Sequence, residues 1–192
     1  MSSLTPLLHE INACSICAAH LPHAPRPVLQ AHGDARVLIV GQAPGRRVHE
    51  SGVPFQDPSG VRLRAWMGVD DPTFYDATKV AIVPMGFCFP GSLTSGDLPP
   101  RPECAPAWRE RVLAELPNVA LTLVLGRYAQ HWHLGEPSRN VTESVAAWEE
   151  YWPELLPLPH PSPRNQGWFK RNAWFEVEVL PLLRNRVAEL LA

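Results

Sequence analysis

The chain has 192 residues, 45% of them apolar, enough for one sizeable core and short for two, so residues 1–192 are expected to form a single domain. A formal net charge of −2 argues against a protein that coats nucleic acid through bulk charge, while leaving room for local basic loops that grip a short stretch of backbone. No basic leader opens the sequence and no run of roughly eighteen apolar residues occurs in it, which predicts a soluble, cytoplasmic protein with no membrane partner; a monomer is expected.

Thr5-Pro6 offers a cap and first-turn proline for a helix running into Cys14. Arg36 to Val40 reads as a buried strand, and Ser59 to Met67 as the helix that follows it. A second strand at Lys79 to Val83 is followed by a helix from Glu103 to Glu115. The third strand, Ala120 to Leu125, leads into a helix from Arg127 to Leu134 with Gly135 as its stop. A helix over Thr142 to Trp152, a short strand at Leu155 to Leu158 and a last helix over Ala173 to Leu191 complete the reading. Alternating strands and helices predict an α/β fold, a three-layer α/β/α sandwich on a mainly parallel four-stranded sheet. Ligands of such sheets sit beyond the carboxyl ends of the strands, where Gly41 to Gly45, Pro84 to Pro90, Gly126 and His160 to Asn165 fall.

Three of these segments carry residues suited to chemistry. In Gly41-Gln42-Ala43-Pro44-Gly45 small residues let backbone amides approach a ligand and proline stiffens the turn; an ordinary strand-to-loop turn has the same composition. Gly52 to Gly60 sets the Phe55 ring two positions from the Asp57 carboxylate. That pairing suits a pocket that stacks on a base and charges one wall, and equally suits a core plug beside a helix cap. His160-Pro161-Ser162-Pro163-Arg164-Asn165 holds an imidazole on a proline-braced loop with hydroxyl, guanidinium and amide donors behind it, able to grip phosphate and serve a leaving group. A lone histidine beside prolines can also be structural. Arg46 and Arg47 read as solvated or phosphate-facing, and His49 as a surface residue. In a reducing compartment the four cysteines read as metal ligands or buried thiols rather than disulfides.

The order Gly-Gln-Ala-Pro-Gly, Val-Pro-Phe with Asp-Pro-Ser-Gly, and His-Pro-Ser-Pro resembles the uracil-DNA glycosylase superfamily over most of the chain. Cys14, Cys17, Cys88 and Cys104 match the cysteine layout of its iron-sulfur families 4 and 5, so the resemblance implies a [4Fe-4S] cluster on these four residues, with structural zinc as the alternative. It further implies a monofunctional enzyme of base excision repair that acts on uracil-containing DNA. Gly41, Gln42, Ala43 and Phe55 would line the base pocket, Asp57 and His160 would be catalytic, Ser162 would bind phosphate, and Arg164 and Asn165 would stand near the gap left by the flipped nucleotide. Two departures matter. Families 1 and 4 carry a water-activating carboxylate in the first motif, where this chain has Gln42 and Ala43; family 5 lacks it and carries an Asp-Ala-Ser-Gly stretch similar to Asp57-Pro58-Ser59-Gly60. In addition, Pro84 stands where many members have an Asn that reads the uracil edge, which implies a broader choice of base. Two alternatives keep the same loops without cleavage, a module that recognises damaged or abasic sites and a zinc-stabilised nucleotide-binding protein.

Overall fold

The computed structural model describes residues 3–94, 96–135 and 139–192. Its strands are β1 (Val37–Val40), β2 (Val80–Ile82), β3 (Ser92–Leu93), β4 (Gly96–Asp97), β5 (Leu121–Leu125) and β6 (Leu155–Leu158). Four of them form the central sheet in the order β2-β1-β5-β6. Every pair in it is parallel, with Val37 opposite Val80 and Leu121, and Thr122 opposite Leu155. The remaining two, β3 and β4, pair antiparallel as a small separate hairpin.

All four residues of β1 are buried, because helices cover both faces of the sheet. Strand side chains alternate between faces, and the core divides accordingly. Val37 and Ile39 join Leu63, Trp66, Phe175 and Leu183 on one side. Leu38 and Val40 join Ile11, Trp108, Val112 and Ala129 on the other. The helices are α1 (Leu4–Asn12), α2 (Arg46–Ser51), α3 (Pro58–Met67), α4 (Asp71–Phe74), α5 (Cys104–Ala114), α6 (Gly126–Leu134), α7 (Val141–Ala146), α8 (Gln166–Arg171) and α9 (Leu180–Leu191). The two core groups place α3 and α9 on one face, and α1, α5 and α6 on the other. The architecture is the expected three-layer α/β/α sandwich. No described helix is long and apolar enough to cross a membrane.

Two long helices expected from the sequence are interrupted. Residues 142–152 divide into α7, which starts at Val141 under an Asn140–Glu143 capping box, and a 3-10 turn at Trp148–Glu150. Residues 173–191 begin with a π-helical turn at Phe175–Val179 before α9. Pro181 has no N–H to offer the carbonyl four residues back, and a wider turn accommodates that missing bond. The short helices α2, α4 and α8 and the hairpin β3–β4 carry no long periodic pattern and are absent from the sequence reading.

Candidate functional site

The carboxyl ends of the sheet strands open onto a chamber of about 490 Å³, lined by Gly41, Ala43, Phe55, Asp57, His160, Ser162 and Arg164 together with Pro84, Asp97, Arg46 and Arg47. Its size suits a small organic ligand. The expected pocket and catalytic residues therefore meet, with two exceptions. Gln42 turns away and donates its amide N–H to the Leu98 carbonyl at 2.7 Å. Asn165 donates to the His160 carbonyl at 2.7 Å, bracing the loop from outside. Both line a neighbouring cavity that shares His160 with the chamber.

Phe55 has a positive φ of 54°, a conformation that costs a non-glycine residue of order 1 kcal/mol or more and persists only where its surroundings enforce it. The enforcement comes from α3. Asp57 caps that helix, accepting from the Gly60 N–H at 2.9 Å, and a Cβ at Gly60 would collide with the Phe55 carbonyl. The Phe55 ring packs edge-on against Phe74 and lies by the bare backbone of Gly41, where a Cβ would stand 3.6 Å from its tip. The two sequence readings of this loop thus coexist: Asp57 is a helix cap and a chamber wall, and Phe55 packs on the core while facing the cavity.

His160 is held in one tautomer. The Ser162 backbone N–H donates to its Nδ1 at 3.2 Å, so Nδ1 is the acceptor and a neutral ring carries its proton on Nε2. Burial pushes the imidazole below its ordinary pKa, against the opposing pull of Asp57 and Asp97, so the neutral ring is favoured. Arg62 donates to the carbonyls of Pro161 and Ser162 at 3.3 and 3.0 Å, tying the loop to α3. The Ser162 oxygen accepts from the Arg164 N–H at 3.2 Å, leaving its own proton free for a ligand. Arg46, Arg47 and Arg164 are exposed and supply positive charge beside the chamber.

The model of the uracil DNA glycosylase superfamily matches residues 29–184. The chain belongs to this superfamily. Membership supports DNA glycosylase chemistry on a DNA substrate, and the matched segment contains every chamber residue named above.

Cys14, Cys17, Cys88 and Cys104 line one small pocket. None of the four is paired in a disulfide. The Phe87 N–H points at the Cys104 Sγ and the Trp108 indole N–H at the Cys14 Sγ, each at 3.3 Å. Burial pushes the Cys88 thiol up to about 11 and the Cys104 thiol up to about 12. Among the described residues no group of three or more His, Cys, Asp or Glu side chains is arranged to hold a metal ion. The pocket gathers four sulfur donors, of which Cys14 and Cys104 are met by N–H groups, the kind of donor set that a thiolate-bound metal centre would use.

Three features escaped the sequence. His49 is half-buried rather than on the surface, stacked on His23 at 5.2 Å, with Nδ1 lacking a hydrogen-bond partner. Arg109, in the middle of α5, is only 1% exposed. It donates to the carbonyls of Val83 and Pro84 and, at 2.7 Å, to the His133 Nε2. Burial lowers Arg109 to about 10 and His133 to about 4. The third is Asp97, which enters the chamber from the hairpin. Glycine and serine between Pro90 and Pro99 mark a turn there, but no local pattern ties it to the first motif.

Proposed function

We propose that the chain is a monofunctional DNA glycosylase that hydrolyses the N-glycosidic bond of deoxyuridine, and of at least one other deaminated nucleoside, as the first step of base excision repair. The observation that carries this reading is the convergence of Asp57, Phe55 and a His160 that presents Nε2–H on one chamber. A base inside a duplex is out of reach, so the nucleotide is extruded into the chamber, where Phe55 stacks on the ring. Breaking the bond puts positive charge on the sugar and negative charge on the departing base. Asp57 stabilises the sugar cation and orients water, and the neutral His160 donates its Nε2 proton as a hydrogen bond to the base oxygen as it becomes an anion. Ser162 and the arginines beside the chamber hold phosphate.

Release of free uracil from a uracil-bearing oligonucleotide by the purified chain tests this, with hypoxanthine and xanthine substrates run alongside. Tight binding to abasic DNA with no base released would instead support a damage-recognition module, a reading favoured by the commitment of Gln42 to Leu98 in place of a first-motif carboxylate.

We further propose that Cys14, Cys17, Cys88 and Cys104 hold a [4Fe-4S] cluster, in a single-domain monomer suited by its unpaired thiols to a reducing cytoplasm. Such a cluster supplies a structural tether, joining the end of α1, the loop after β2 and the start of α5. Brown protein with four iron and four sulfide per chain is the expected outcome; anaerobically purified protein with stoichiometric zinc and no iron overturns it.

A further inference from the structure

Asp97 is placed in the chamber by contacts within the hairpin and with the first-motif loop. The Ser92 hydroxyl donates to its Oδ1 at 2.6 Å across the hairpin, in the register that sets Ser92 opposite Asp97. Its Oδ2 points at Gly45, where a Cβ would stand only 3.2 Å away. The next residue, Leu98, accepts the Gln42 amide at 2.7 Å and donates its N–H to the Gly91 carbonyl at 2.8 Å. The first motif thus holds the base of the hairpin, and the hairpin returns a carboxylate to the end of that motif. Gln42 and Ala43 cannot act as bases themselves. Asp57 and Asp97 each have Oδ1 engaged, by the Gly60 N–H and the Ser92 hydroxyl respectively, so the chamber holds two carboxylates rather than one. Asp97 lines the same chamber as His160 and Asp57, the cavity in which the sugar would sit.

We propose that Asp97 is a second catalytic carboxylate of this chamber, taking the proton from the hydrolytic water in place of a first-motif acid. The assignment rests on the glycosylase reading above and deepens it. The C1′–N bond breaks and its electron pair leaves with the base, whose anion meets His160 and later collects a proton from solvent. The water oxygen bonds to C1′ while its proton passes to Asp97, which returns it to solvent. One water is consumed per base released. Asp57 then acts chiefly through its charge on the sugar cation, and the two carboxylates divide work that a single first-motif acid would otherwise combine.

Two measurements on the full chain test it. Asp97→Asn should lower single-turnover cleavage of a uracil oligonucleotide by about 30-fold or more, with the thermal midpoint unchanged. The second measurement needs no turnover: the ratio of affinities for oligonucleotides carrying a cationic pyrrolidine and a neutral tetrahydrofuran in place of the sugar. A carboxylate beside the sugar favours the cation, so Asp97→Asn should reduce that ratio about tenfold, and Asp97→Glu, which keeps the charge, should reduce it less. Cleavage by Asp97→Asn within about threefold of the parent overturns the assignment, as does an unchanged affinity ratio. If the parent chain releases no base at all, the glycosylase reading fails, and the affinity ratio alone decides whether Asp97 faces the sugar.

Discussion

Two histidines, His160 and His133, are both held below their ordinary pKa by burial and differ in what they are neutral for. His160 faces an open chamber with two carboxylates, its Nδ1 filled by a backbone N–H and its Nε2 left to donate. His133 faces the interior, where Nε2 accepts from Arg109, so a neutral ring keeps its proton on Nδ1. Burial lowers both, but the neutral ring is a donor toward a ligand in one case and an acceptor for a buried cation in the other. The two places are joined. Arg109 holds the carbonyls of Val83 and Pro84, and Pro84 lines the chamber. A shifted pKa therefore marks burial, and only the partners and the adjoining cavity separate a reactive histidine from a scaffolding one.

Replacing each histidine should break the comparison most sharply. His160→Asn is expected to slow single-turnover cleavage by about 10²- to 10³-fold with little loss of stability, as for removal of one donor to a developing anion. His133→Leu should do the reverse, lowering stability by roughly 1–3 kcal/mol in urea titrations while leaving cleavage within about tenfold. Equal losses of cleavage in both variants would show that the scaffold and the chamber are not separable.

Asp57→Asn removes charge and keeps shape, and should cost about 10²-fold in single-turnover cleavage with DNA binding nearly intact. Its Oδ1 remains to accept from Gly60, so α3 should stay capped. A thermal midpoint several degrees lower would mean that the cap, not the charge, carries the effect.

Acidification should sharpen the contrast from the stability side. The folded His133 sits at about 4, and an unfolded histidine near 6.5. Between those values the unfolded chain binds a proton that the folded chain refuses. The contribution to stability is therefore complete above about pH 6.5 and falls as pH drops toward 4, by at most about 3 kcal/mol. Urea midpoints measured from pH 7.5 to 4.5 should fall in the parent and fall less in His133→Leu; parallel curves would remove His133 as the source.

The smallest effect is expected at Pro84, which links the two regions. Pro84→Asn adds a donor and acceptor at the chamber wall and should raise the preference for uracil over hypoxanthine and xanthine about tenfold, read from matched single-turnover rates. A parent enzyme that already rejects both purines by about 10⁴-fold would show that other groups read the base edge.

The local sequence determined the parts of this protein that depend on near neighbours. The apolar run Val37-Leu38-Ile39-Val40 demands cover on both faces whatever supplies it, and Gly135 ends α6 in the left-handed region because only glycine adopts it freely. The loops Gly41 to Gly45 and His160 to Asn165 were legible for the same reason, as turns at strand ends. What the tertiary structure alone decided is which side chains meet. Gln42 reaches a carbonyl 56 residues away and so leaves the chamber, the hairpin carries Asp97 into it, and Arg109 abandons solvent for carbonyls 26 and 25 residues back along the chain. Backbone periodicity fixes the face on which a residue lies; partners brought from distant segments fix whether it is a donor, an acceptor or a charge.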